Sequence, residues 1–157
     1  PMDFGGKAAE HLSFFATHVI PFCESKYAFA SSEEKRVIGG YSLGGLFSLY
    51  AAVNTNLFGT ALSCSSSLWF PDFLDYLKEH PFKAAHPKLY MSVGDQEGTT
   101  ATNLTADQTL NTLALKEWIE PKFQAGDFQF TLEEGNHGTN ISRRVERAVE
   151  WVEENSK

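Results

Sequence analysis

The chain has 157 residues, of which 42% are apolar and 21% charged, the composition of an ordinary globular protein with room for one domain. Its formal net charge of −7 offers no basic surface, which argues against nucleic acid or an anionic membrane as a partner. No run of 18 apolar residues occurs, so no transmembrane helix is expected.

Helical and strand patterns alternate through the first half of the chain. Apolar residues recur at helical spacing over about residues 6–27, which predicts a helix that Pro21 kinks or ends. The segment that follows is a β-type run leading through a turn of small residues into a Leu- and Ala-rich helix. The predicted elements here are a strand at 36–40, a helix at 43–53, a strand at 60–64, and an irregular stretch at 65–87 with a short helix at 73–78.

The second half repeats the alternation. Its predicted elements are a strand at 88–93, a helix at 103–123 broken near Pro121, a strand at 127–132, and a helix at 139–154. The predicted buried face of the last helix consists of Ile141, Val145, Ala148, Val149 and Val152. Four strand–helix alternations predict a single α/β domain over residues 1–157, with three α/β/α layers and a mostly parallel sheet.

The motif Gly40-Tyr41-Ser42-Leu43-Gly44 lies between a predicted strand and a predicted helix, the context that a G-x-S-x-G nucleophile turn requires. A tight strand-to-helix turn forces the serine into strained backbone angles and lifts its hydroxyl off the sheet. Its neighbours two residues away, Gly40 and Gly44, are expected to be small for steric reasons. Ser42 is therefore the candidate nucleophile, and the N–H of Leu43 the candidate oxyanion donor. The alternative is a glycine-rich corner with an incidental serine.

His137 follows the fourth predicted strand, at the sheet end where α/β proteins place their sites. It is the candidate general base, whereas the other four histidines are interpreted as structural or surface residues. An acid to orient it is expected after the third strand, where Gly94 precedes two candidates, Glu97 and Asp95. Asp95 can instead cap the turn, and a Ser–His dyad without an acid stays open.

We expect no metal and no cofactor. The two isolated cysteines, Cys23 and Cys64, provide neither a metal-ligand spacing nor a disulfide framework. Cysteines of this kind suit a reducing compartment, and no signal peptide is visible, so the expected location is the cytoplasm.

With these residues, the chain resembles the putative-esterase family of α/β-hydrolases, which includes esterase D, feruloyl esterases and enterochelin (trilactone siderophore) esterases. The resemblance covers nearly the whole chain and is nearest to hydrolases of the siderophore-esterase branch. Its three segments are the nucleophile segment at 36–47, the stretch Ser65-Ser66-Ser67-Leu68-Trp69-Phe70, and Asn136-His137-Gly138. It implies an α/β-hydrolase fold and an acid three residues beyond the glycine that ends the preceding strand, which is Glu97 here.

The chain also departs from the family pattern. Ser66 and Phe70 replace a proline and a tryptophan of the family, which alters the expected pocket wall. Only about 35 residues precede Arg36, whereas family members have further strands there, whose loop supplies a second oxyanion donor. We therefore expect the C-terminal portion of such a fold, from the nucleophile strand onward. Completion by a missing N-terminal segment, or self-association, would cover its open sheet edge.

Together these features predict a serine esterase that forms an acyl-enzyme on a small-molecule ester. Tyr41, Trp69 and Phe70 are the candidate substrate-binding residues. Two other functions stay open. An acyltransferase would use the same acyl-enzyme, and a non-catalytic binding module would use only the fold.

Overall fold

A sheet of four parallel strands forms the centre of the protein, whose computed structural model describes residues 6–27, 32, 35–99 and 105–155. Strands that follow each other in the chain are neighbours in the sheet, so every connection passes over a face of the sheet. In chain order the strands are β1 (Val37–Tyr41), β2 (Thr60–Cys64), β3 (Lys88–Gly94) and β4 (Phe128–Glu133).

The helices cover both faces of this sheet, which confirms the expected α/β layering. Ile38, Ala61 and Leu89 pair across neighbouring strands and point to one face, where they join a core with helices from the first three connections. The helices in chain order are α1 (Ala8–Phe14), α2 (Ile20–Lys26), α3 (Leu43–Asn54), α4 (Phe73–Glu79), α5 (Gln108–Ile119) and α6 (Ile141–Asn155).

Helix α6 covers the opposite face, against Leu62 and Tyr90 of the central strands. The predicted buried face of this helix is wrong for Ile141, Val145 and Val149, which are 42%, 39% and 46% exposed. The prediction is confirmed for Ala148, which is buried, and Val152 is partly buried against the same core. Arg144 and Trp151, which were not predicted, also point to the sheet. The physical reason is that Arg144 hydrogen-bonds to Glu97 and to the Asn136 carbonyl at the C-terminal end of the sheet. These bonds fix the rotation of the helix so that the side carrying Arg144 faces the sheet.

The first predicted helix is present but interrupted differently from the prediction. Helices α1 and α2 are joined by one π-helical turn, Phe15–Val19, and the chain stays helical through Pro21 to Lys26. Proline lacks an N–H and its ring crowds the carbonyl of the preceding turn. A wider π turn directly before it absorbs that mismatch without ending the helix.

The remaining elements lie within a few residues of their predicted bounds, as expected for boundaries inferred from pattern alone. Residues 103 and 104 of the helix predicted at 103–123 lie outside the described residues. Helix α5 begins at Gln108 and is followed by a 3₁₀ turn, Glu120–Lys122, at the predicted Pro121 break. Among the helices described, none combines the length and the apolar character that spanning a bilayer requires.

Candidate active site

Ser42 lies in the turn that joins β1 to α3, with backbone angles of φ 60° and ψ −120°. A residue with a side chain rarely adopts such a conformation, so this turn is strained. It is held by backbone hydrogen bonds on both sides: the Ser42 N–H donates to the Cys64 carbonyl at 3.0 Å, and the Ser42 carbonyl accepts from Leu46 and Ser67. The sequence motif and its context thus correspond to a sharp strand-to-helix turn.

The positions that require a small residue are not the two that the motif predicts. A Cβ on Gly40 would lie 2.4 Å from the carbonyl carbon of Gly44, which rules out a larger residue there. A Cβ on Gly44 would meet no described atom within 4 Å, so its expected steric role is not borne out. Gly45, outside the motif, is the second tight position, because a Cβ there would lie 2.2 Å from Ser66 Oγ.

Three side chains from three loops form a continuous hydrogen-bonded series at the C-terminal edge of the sheet. Ser42 Oγ lies 3.0 Å from His137 Nε2, and His137 Nδ1 lies 2.7 Å from Glu97 Oε2. A proton on Nδ1 satisfies the carboxylate and leaves Nε2 free to accept the serine hydroxyl. Such an arrangement can remove a proton from Ser42 and stabilise the imidazolium that results.

Glu97 is 1% exposed and anchored at its other oxygen. Oε1 accepts hydrogen bonds from the Gly94 N–H and the Ser65 hydroxyl, both at 2.7 Å. Burial by itself raises the pKa of Glu97, but hydrogen bonds from His137, Ser65 and Gly94 outweigh it, so the pKa lies below its ordinary value. Glu97 is therefore an ionised carboxylate facing the histidine.

Asp95, the alternative acid, is occupied elsewhere. Its Oδ1 accepts from the Gly135 N–H at 2.8 Å, and its own N–H donates to the Glu133 carbonyl. These bonds join the loop after β3 to the loop that carries His137. The geometry places Glu97, not Asp95, on the imidazole, and gives Asp95 the loop-shaping position.

Tyr41 and Arg144 border the site on the side that faces helix α6. The Tyr41 hydroxyl donates to the His137 carbonyl at 2.7 Å, and its ring lies 5.2 Å from the imidazole. Arg144, 1% exposed, donates to Glu97 Oε1 at 2.8 Å. Sequence reasoning missed Arg144, because an arginine in an amphipathic helix is ordinarily assigned to its solvent face.

A cleft of about 770 Å³ opens beside the nucleophile turn, between α1, α3 and α4. Leu43 and Gly44 form its end near Ser42, and Phe70 forms part of its wall. Trp69 packs on Phe70, with ring centroids 6.4 Å apart. Of the three predicted substrate-binding residues, Trp69 and Tyr41 stand outside the cleft lining. The other Phe and Tyr rings in the lining are Phe47, Tyr50, Phe73 and Tyr76.

Within the part of the chain that the structure describes, no three His, Cys, Asp or Glu side chains converge as metal ligands would. Both thiols are free, and Cys64 is buried under α6. Burial raises the pKa of the Cys64 thiol to about 11, which makes it a packing residue and a poor nucleophile.

Comparison with protein families gives a match to the family described as "Putative esterase" over residues 3–139. The uncharacterized protein YbbA of Bacillus subtilis is 25% identical over 154 residues, which are 96% of this chain and 62% of that protein. The siderophore enterobactin esterase of Emericella nidulans is 33% identical over 100 residues, 59% of this chain and 33% of that protein. The chain thus spans between a third and two thirds of the length of these relatives.

Among solved structures, the siderophore hydrolase EstA from Aspergillus nidulans superposes with a TM-score of 0.79 at 23% identity. The match covers 97% of this chain and 59% of EstA. At this identity the likeness establishes a shared fold.

Proposed function

The chain belongs to the putative-esterase family, and on that premise we propose that it is a serine hydrolase cleaving a carboxylic ester through an acyl-enzyme on Ser42. The observation that carries this proposal is the hydrogen-bonded series from Ser42 Oγ through His137 to Glu97, with links of 3.0 and 2.7 Å. Each group in it has the orientation that nucleophilic catalysis needs.

In the first half of the reaction, Ser42 Oγ attacks the ester carbonyl while His137 Nε2 takes the serine proton. Glu97 holds the imidazole in the required tautomer and balances its new positive charge. Collapse of the tetrahedral intermediate expels the alcohol, which receives the proton from His137. In the second half, water attacks the acyl group on Ser42 with His137 again as base.

The N–H of Leu43 is the oxyanion donor in this proposal. Leu43 is the first residue of α3, and the first N–H groups of a helix lack partners within that helix and carry partial positive charge. A developing negative charge next to Ser42 would meet this group.

We assign the cleft beside Leu43 to the apolar part of the ester, since five Phe and Tyr rings line its wall. Phe70 lines it directly, and Trp69 contacts Phe70. Because two relatives are named as a siderophore enterobactin esterase and a siderophore hydrolase, siderophore esters are the first compounds to screen. Two free cysteines agree with the cytoplasmic location we propose for this activity.

The test is hydrolysis of p-nitrophenyl acetate and butyrate by the chain and by its Ser42→Ala variant, together with labelling by a fluorophosphonate probe. We expect turnover and labelling of the wild type, and neither in the variant, with the circular dichroism spectrum unchanged. Turnover that persists in folded Ser42→Ala would contradict the nucleophile assignment. A folded wild type that neither turns over nor labels would contradict the enzymatic proposal.

A further inference from the structure

The Arg144 side chain lies almost completely buried at the point where helix α6 passes under the loops of the site. A buried guanidinium is costly to desolvate, and a buried ion pair contributes little net stability compared with apolar packing. Its Nε, moreover, has no partner among the described residues. An arginine retained in such a place is better explained by the groups it holds than by stabilisation of the fold.

Nη1 of the guanidinium holds the carboxylate of Glu97. Nη1 donates to Glu97 Oε1 at 2.8 Å and to Ser65 Oγ at 3.1 Å, while the Ser65 hydroxyl donates to the same carboxylate oxygen. With the Gly94 N–H, three donors saturate Oε1. The carboxylate therefore cannot rotate without breaking these bonds, and Oε2 is left for His137.

Nη2 holds the loop that carries His137. Nη2 donates to the carbonyl oxygens of Glu134 and Asn136, at 3.3 and 3.1 Å. Nη1 also reaches the Tyr41 hydroxyl, which donates to the carbonyl of His137 itself. Three carbonyls of four consecutive residues are thus fixed by Arg144, directly or through Tyr41.

We propose that Arg144 is a positioning residue for the hydrolysis, holding the acid and the histidine loop in one rigid unit and keeping a compensating positive charge behind the Glu97 carboxylate. This inference rests on the proposed function, since it assigns Arg144 a part in the same reaction. Arg144 acts through Glu97 and His137 and has no contact with the reacting atoms.

The proposal predicts a specific effect on the pH profile. Without the positive charge, Glu97 takes up a proton at a higher pH, or its unbalanced charge strengthens the hold of His137 on its own proton. Either effect moves the pH at which kcat/KM falls on the acid side, the low-pH limb of the profile, to a higher value. A loss of folded protein would lower the whole profile without moving this limb.

Other titratable groups around the pair do not account for such a shift. Burial raises the pKa of Tyr41 and, to about 11, that of Cys64, so both titrate above the relevant range. Helix α5 approaches Glu97 through the uncharged Thr109. The carboxylates of Asp95, Glu133 and Glu134 and the guanidinium of Arg147 stay the same in every Arg144 variant compared.

The variants are Arg144→Met, which removes charge and hydrogen bonds, and Arg144→Lys, which keeps the charge but loses the two-sided fork. The matched control is Arg147→Met, which removes the same charge from the same helix and deprives Glu133 of its partner. For each, kcat and KM are measured against pH, the folded fraction is measured by urea unfolding, and the hydrogen-bonded His137 Nδ1 proton is followed by NMR. His137→Ala assigns that resonance.

We expect Arg144→Met to lose about 10²-fold in kcat/KM at neutral pH, mainly in kcat. Its lower limb should move up by about one pH unit, and the Nδ1 resonance should disappear. Arg144→Lys should keep the wild-type limb and the resonance while kcat falls, which also tests the proposal if Arg144→Met does not fold.

The positioning role would be overturned if Arg144→Met had the same low-pH limb of kcat/KM and the same His137 Nδ1 resonance as Arg147→Met. It would also be overturned if Arg144→Lys had the kcat of the wild type. The NMR readout needs no turnover. A wild type that lacks Ser42-dependent hydrolysis refutes the proposed function, and the resonance still decides whether Arg144 positions the pair.

Discussion

Glu97 Oε2 lies 2.7 Å from His137 Nδ1, although the two residues are 40 positions apart and belong to loops after different strands. Asp95, two residues before Glu97, makes its hydrogen bond to the Gly135 N–H instead. The two carboxylates of one short loop therefore have different partners, and we expect substitutions of the two to have different effects on activity.

Glu97→Gln should lower kcat by about 10³–10⁴-fold, because an amide facing Nδ1 favours the wrong imidazole tautomer. Asp95→Asn retains an oxygen acceptor for Gly135 and should cost far less. Steady-state kinetics with p-nitrophenyl acetate measures both. Equal small losses would favour a Ser–His dyad over the series that ends in Glu97.

The lowered pKa of Glu97 predicts a particular dependence of stability on pH. A carboxylate whose pKa is depressed by folding stabilises the folded state above its unfolded-state pKa, ordinarily 4.5, and loses that contribution as pH falls through its lower folded value. The difference in free energy of unfolding between wild type and Glu97→Gln should thus be constant near neutrality and shrink below about pH 4.5. Urea unfolding over a pH series measures it, and a difference that widens in acid would contradict the assignment.

The strain at Ser42 should be measurable as stability. Glycine adopts φ 60° at no steric cost, whereas alanine keeps the strain. Ser42→Gly should therefore be more stable than Ser42→Ala by about 1 kcal/mol, with both inactive. Urea unfolding of the pair provides the comparison, and equal stabilities would mean that the turn relaxes once the hydroxyl is gone.

The glycines around the nucleophile should differ in tolerance. Gly44→Ala should change stability by less than about 0.5 kcal/mol, since its Cβ meets no described atom. Gly45→Ala should cost about 1–3 kcal/mol, because its Cβ would overlap Ser66 Oγ. Thermal unfolding ranks them, and the reverse order would refute this steric account.

The cleft predicts selectivity between short and long acyl esters. Phe47→Ala removes a ring from its wall and should lower the preference for p-nitrophenyl octanoate over acetate by about tenfold. Phe82→Ala is the matched control, since Phe82 packs on Phe123 away from the cleft. If Phe47→Ala slows both esters equally, the cleft does not hold the acyl chain.

The order of strands and helices was accessible from sequence because each strand is short, apolar and bounded by turn residues. Ser42 and His137 were accessible because their motif and chain order correspond to a known geometry. The choice between Glu97 and Asp95 was open, because two carboxylates in one turn differ only in what the rest of the fold places against them.

Arg144 and the orientation of α6 could not be read from the sequence for a related reason. The helix has an aliphatic stripe that suits a buried face, and only the partners of Arg144 show that an adjacent stripe lies inward. Gly45 was likewise hidden, because its constraint comes from Ser66 on another segment. In each case the deciding group is distant in the chain.

The four strands contribute to the site in chain order: Ser42 follows β1, Ser65 follows β2, Glu97 follows β3 and His137 follows β4, with Arg144 after them on α6. The bond between Ser42 and His137 alone spans 95 residues. During synthesis on the ribosome, Ser42 would emerge long before His137 and Arg144, the residues proposed to activate it and to position its partners. On the proposed function, Ser42 would therefore react efficiently with an ester only after the His137 loop and helix α6 have left the exit tunnel.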